Sequence, residues 1–105
     1  MKVKSKSEED LEVSKKLMRL YHSASSRGLE FNLTIRTVRK LLNRKRCFYT
    51  NRPFEESGIY AMSVDRVDNE FGYVEGNVVA CTVDINSKKA NLTTKEIEQI
   101  FKKTR

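Results

Sequence analysis

The chain has 105 residues, of which 38% are hydrophobic, enough for one small core and not for a second. Its 21 Lys and Arg stand against 14 Asp and Glu, and a formal net charge of +7 on so short a chain points to a polyanionic partner, nucleic acid first. No apolar run nears the roughly 20 residues of a membrane span, and Met1-Lys2-Val3-Lys4-Ser5-Lys6 has no hydrophobic segment behind its charges, so neither membrane insertion nor a secretory signal is expected and the predicted location is cytoplasmic.

Residues 1–7 read as a flexible basic tail, and residues 8–43 as a helical part. A first helix is predicted from Glu8 to Arg27, with Leu11, Leu17, Met18 and Tyr21 as its apolar stripe and Glu8, Glu9 and Asp10 favouring its N-terminus. Gly28 ends it. Thr34 reads as the N-cap of a second helix to Asn43 that buries Ile35, Val38, Leu41 and Leu42. Its other face carries Arg36, Arg39 and Lys40, and Arg44, Lys45 and Arg46 follow directly. Cations this dense repel one another unless an anion relieves them, which makes the cluster a candidate nucleic-acid surface; a solvated face is the plainer alternative.

Cys47-Phe48-Tyr49 reads as a short strand before the turn Thr50-Asn51-Arg52-Pro53. Tyr60 to Val67 and Val78 to Cys81 are rich in β-branched residues and predict two strands joined through Gly72 and Gly76. A short helix is expected from Val83 to Ala90. A last one opens at Thr93, with Glu96 completing a capping box, and runs to Lys103 with Ile97, Ile100 and Phe101 inward. Helices and strands segregate along the chain, so the class is α+β in a single domain, with residues 47–103 forming the part beyond the first two helices.

The stretch from Ser63 to Lys89 carries the chemistry. Asp65 closes an apolar strand, Asn77 opens the next, and Asn86 follows on a short polar segment with Lys88 and Lys89 behind it. A carboxylate and an amide oxygen brought together this way can hold a hard divalent cation beside a phosphate. Asp65 taken alone reads better as a turn acid, and Lys88 and Lys89 read either as solvated charges or as cations that contact nucleic acid beside the bound phosphate. Asp68 and Asn69 read as turn formers.

The order D-R-x-D, G-Y-x-x-G-N and N-x-x-K resembles the phage-type variant of the HNH endonucleases, which have a ββα-metal fold. The resemblance implies a ββα core after two N-terminal helices and before a C-terminal one. It implies Asp65 and Asn86 as ligands of Mg2+ or Mn2+, Asn77 as the brace of the loop, and double-stranded DNA as the substrate. If the chain is phage-encoded, that places it in the host cytoplasm. Arg66 stands where the family has its general-base His, and a guanidinium cannot accept a proton from water, though it can grip a phosphate. His22, the one imidazole in the chain, and Tyr49 and Tyr60 are the remaining candidates for a base. Cys47 and Cys81 match the first cysteine of each zinc knuckle in zinc-bearing relatives, with Thr50 and Asp84 where the second thiols would be. Such a set is poor for zinc, so no structural zinc is expected and reduced thiols are favoured over a disulfide. Two functions compete: a metal-dependent endonuclease or nickase, and a non-catalytic module that binds nucleic acid or a protein.

Overall fold

Ser5 accepts a hydrogen bond from the Glu8 backbone N–H at 3.2 Å and so caps a helix that begins one residue later. The computed structural model describes residues 4–89, in the order α1 (Lys6–Ser26), α2 (Ile35–Leu42), β1 (Met62–Arg66), β2 (Val78–Thr82) and α3 (Val83–Lys89). The helix thus starts inside the stretch expected to be a tail, because the Ser5 hydroxyl satisfies a first-turn N–H that would otherwise lack a partner. The predicted helix at Thr93–Lys103 lies outside the described residues. No described helix is long and apolar enough to cross a membrane.

The buried face of α1 differs from the predicted stripe. Val13, Leu20 and Ala24 are buried with Leu17 packed against them, whereas Leu11, Met18 and Tyr21 are 55%, 59% and 51% exposed. Positions 13, 17, 20 and 24 share one narrow helical face, while 11, 18 and 21 lie on the adjoining face, turned away from it, with Leu17 on the border between the two. On α2 the N-cap is Thr34 as expected, accepting from the Thr37 N–H at 3.3 Å. Val38 and Leu41 are buried, but Ile35, in the first turn, is 48% exposed.

β1 and β2 form a two-stranded antiparallel sheet with Val64 opposite Ala80 and Asp65 opposite Val79. Val64 and Ala80 complete the core against α1, α2, Leu33 and Tyr73. Chain reversal into α3 is immediate, since Thr82 ends β2 and Val83 begins the helix. The domain is therefore a small α+β fold with three described helices and one hairpin. Cys47-Phe48-Tyr49 is not a strand: Asn51 takes a φ of 61° and donates to the Cys47 carbonyl at 2.9 Å, curling the segment into a turn. The Phe48 N–H still reaches the Ala80 carbonyl at 2.9 Å, so the turn is moored to the edge of β2.

The loop between the strands is fastened to the helical part. Tyr73 donates to the Glu30 carbonyl at 2.9 Å, and the Thr37 hydroxyl lies 2.7 and 2.6 Å from the two oxygens of Glu75. That hydrogen bond is the main reason the Glu75 carboxyl is held below the usual glutamate range. Gly72 permits the contact with Glu30: a Cβ there would overlap the Glu30 carbonyl oxygen and lie 2.6 Å from its nitrogen. Both are backbone atoms, which cannot step aside as a side chain can. Gly72→Ala is expected to cost on the order of 2 kcal/mol, the scale of overpacking a filled site, measurable by urea denaturation. An unchanged midpoint would contradict the close approach.

Candidate functional site

Asp65 sits near the end of β1, 4% exposed, with Val79 beside it across the hairpin. Its Oδ2 accepts from the Tyr49 hydroxyl at 2.6 Å and forms an ion pair with the Lys89 ammonium. Lys89 ends α3 and is itself 3% exposed. Its Nζ also donates to the Tyr49 hydroxyl at 2.6 Å and to the Arg66 carbonyl at 3.2 Å, so three donors meet three acceptors. The expectation that Lys89 would face nucleic acid is thereby corrected. Its charge is needed inside, because a buried carboxylate without a partner is costly.

Asn86 approaches from the preceding turn of α3. Its Nδ2 donates to the Ser63 hydroxyl at 2.6 Å and weakly to the Val64 carbonyl at 3.4 Å, so the amide oxygen is the atom left to meet a ligand. Asp65 and Asn86 line one cleft of about 350 Å³, together with Arg27, Arg66, Asn69, Tyr73 and Lys89. Among the described residues three cations stand against one carboxylate in its lining, an electropositive balance that suits an anion of phosphate character.

Arg66 is held by the loop it precedes. Its Nη1 donates to the Asn69 carbonyl at 3.0 Å and the Phe71 carbonyl at 2.8 Å. Among the described residues Nε and Nη2 have no acceptor, and they remain for a ligand. Arg27, the C-cap of α1, donates to the Tyr73 hydroxyl at 3.3 Å and so brings a second guanidinium to the cleft. Asn77 closes the loop at its far end: its Oδ1 accepts from the Asp68 N–H at 2.9 Å, and its Nδ2 donates to the Asp68 and Gly72 carbonyls at 3.1 and 2.9 Å. Asp68 accepts from the Glu70 N–H at 2.9 Å, ordinary turn chemistry.

Asp65 and Asn86 supply oxygen donors of the kind Mg2+ takes, and such ions commonly use one or two protein ligands and leave the rest to water and phosphate. The donor set fits a hard cation in chemistry, and the Lys89 ion pair is what that cation would have to displace. No group of three or more His, Cys, Asp or Glu able to hold a metal occurs among the described residues.

None of the candidate bases is placed to act. His22 is exposed on α1 with its ring edge against Tyr21, centroids 5.6 Å apart, and does not line the cleft. Burial, then the hydrogen bond to Asp65, push the Tyr49 phenol well above its ordinary value, so it keeps its proton. Tyr60 lies under the Arg52 guanidinium, 3.5 Å from its ring centroid.

The basic cluster is only partly free. Arg39 pairs with Asp10 at 2.8 Å, while Arg36, Lys40, Arg44, Lys45, Arg46 and Lys88 are exposed. Cys47 and Cys81 are buried free thiols on either side of Thr82, whose hydroxyl lies 3.8 Å from the Cys47 sulfur. Thr50 hydrogen-bonds Cys47, and the Asp84 charge is felt at Cys81, so the four knuckle positions share one neighbourhood. Burial, then the Asp65 charge, push the Cys81 thiol up to about 12. The folded state thus favours the protonated thiol. The stability this confers is complete below the ordinary thiol value and is lost as pH rises through about 12. Alkaline denaturation of Cys81→Ser should lack that component, as read by circular dichroism against pH.

Sequence reasoning found Asp65, Arg66, Asn77 and Asn86 but missed Tyr49 and Lys89 as the partners of Asp65, and Arg27 and Tyr73 in the cleft. Lys89 was legible in part, because it follows Asn86 by three positions and so shares its side of a helix. No family model matches the chain, and no solved structure matches it significantly. It is 31% identical over 87 residues to an uncharacterized 29.0 kDa protein from the dda-modA intergenic region of Enterobacteria phage T4. That match covers 81% of this chain and 35% of the phage protein, so the chain spans about a third of the length of this relative.

Proposed function

We propose that the chain is an HNH-like nuclease domain that takes a phosphodiester of DNA into the cleft of Asp65, Arg66 and Asn86 and hydrolyses it with a divalent cation. The observation that carries this reading is the convergence of Asp65 at the end of β1 and Asn86 on α3 on one electropositive cleft. Arg66 and Arg27 bind phosphate oxygens, and the two loop carbonyls on Arg66 fix the direction from which its guanidinium reaches them. Asn77 keeps the loop closed around that guanidinium. Asp65 and Asn86 would hold Mg2+ or Mn2+, which when bound supplies charge neutralisation and a more acidic water. The cleft offers no imidazole, and a missing general base typically costs 10²–10⁴-fold, so turnover is slow.

A nicking assay on supercoiled DNA with Mg2+ or Mn2+ tests the reading. Wild type is expected to convert it slowly to open circle, and Asn86→Ala, whose half-buried side chain can be removed without opening the core, to abolish conversion. The Asp65–Lys89 ion pair favours a second reading, a module that binds nucleic acid without cutting it. Retained DNA binding with no nicking under either metal would decide for that second reading.

A further inference from the structure

A second cleft, of about 500 Å³, lies on a different part of the surface, between the end of α2, the 44–48 segment and the edge of β2. Arg44, Lys45 and Arg46 line it and are exposed, and no acidic residue is in its lining among the described residues. Among the described residues none of the three forms a salt bridge; only Arg46 is engaged, through Nη1 on the Asn51 carbonyl at 3.1 Å. Phe48 stands at the same cleft and is 57% exposed. An exposed phenylalanine beside cations adds little to the core, to which its buried neighbour Cys47 is the nearer contributor.

The Phe48 ring is nevertheless held in place. Its backbone N–H is bound to Ala80 at 2.9 Å, and its ring meets the Tyr49 ring edge-on, centroids 5.2 Å apart at 88°. A fixed, solvent-facing aromatic ring flanked by cations is what a nucleobase and its phosphates complement. Stacking needs a free base face, and only an unpaired base has one, because in a duplex each face is covered by its neighbours. Phosphate contacts by Arg44, Lys45 and Arg46 would add affinity without reading sequence.

We propose that this cleft binds a single-stranded stretch of nucleic acid, with one unpaired base stacked on Phe48 and the adjoining phosphates on Arg44, Lys45 and Arg46. The proposal rests on the nucleic-acid half of the function above and is independent of cleavage. Tyr49, next in the chain, reaches Asp65, so a strand seated on Phe48 is anchored one residue away from the support of the candidate catalytic cleft. The preferred substrate is then DNA that carries an unpaired nucleotide near the scissile bond.

The test uses the whole chain with EDTA present, so that failure to cut cannot be mistaken for failure to bind. The chain has no tryptophan, and Phe48→Trp places a single indole at the stacking position. Its emission is expected to be quenched by a 16-nucleotide single strand and to change little with the same sequence as a duplex. Phe48→Ala should weaken the single strand by about tenfold, within the range of one stacked base, and the duplex by less than about twofold. Phe48→Tyr should restore single-strand binding, and since the side chain is exposed all three variants should keep the wild-type melting temperature. An indole unmoved by saturating single strand, or equal losses for both forms in Phe48→Ala, would overturn the proposal.

Discussion

Lys89→Met is expected to tighten Mn2+ binding at Asp65 by at least about tenfold, measured by titration calorimetry. The ammonium shares Asp65 Oδ2 with the Tyr49 hydroxyl and stands where a cation would approach. Two unit charges about 4 Å apart repel by about 4 kcal/mol at an effective dielectric of 20, so its removal is a large change even after screening. The variant also leaves Asp65 buried without a counter-charge, so its stability should depend on the ion. With free Mn2+ at about 100 times Kd, linkage adds about 2.7 kcal/mol, which a thermal melt resolves easily. Equal Mn2+ affinity in wild type and Lys89→Met would mean that the ion binds elsewhere or not at all. Tyr49→Phe is the useful companion, since it keeps the ring and removes only the hydroxyl.

Asp65→Ala should destabilise the fold by about 3–5 kcal/mol, the cost of stranding one member of a buried ion pair. For a domain of this size that is a fall in melting temperature of more than about 10 °C. The double variant Asp65→Asn with Lys89→Met removes both charges and should recover most of the loss, because the penalty lies in the uncompensated charge and not in the missing attraction. If the double variant is no more stable than Asp65→Ala, the pair is not what holds α3 to β1. Loss of nicking in Asp65→Ala would by itself be ambiguous between chemistry and unfolding. Asn86→Ala and the charge-neutral double variant are therefore the more informative enzymological controls.

The parts of the molecule legible in the sequence are those governed by local chemistry. Thr34 announced its helix because a hydroxyl at the N-cap has a single obvious use, and the strands announced themselves through β-branched residues between glycines. The Asp65 and Asn86 spacing led to one cleft because strand, loop, strand and helix leave the chain few ways to fold back. Failures came where distant residues decide. Whether Met18 or Leu20 faces inward depends on where α2 packs, since the two stand about 160° apart on a helical wheel and only one of them can meet it. Lys89 reads as an outward charge, solvated or on nucleic acid, because a lysine on a short polar helix usually faces out. Only Asp65, far back in the chain, makes it a core residue. The ion pair between Arg39 and Asp10 was hidden in the same way.

Because the partner of Asp65 comes 24 residues later, the ribosome delivers the carboxylate well before the ammonium that neutralises it. At about 5–20 residues per second that interval lasts about 1–5 s. Through it β1 cannot bury its acid, since Tyr49 alone brings a hydroxyl and no charge. The hairpin is therefore expected to pack less firmly against the helices until Lys89 is in place. Burial of Asp65 with its counter-charge is expected to be among the last events in forming the core.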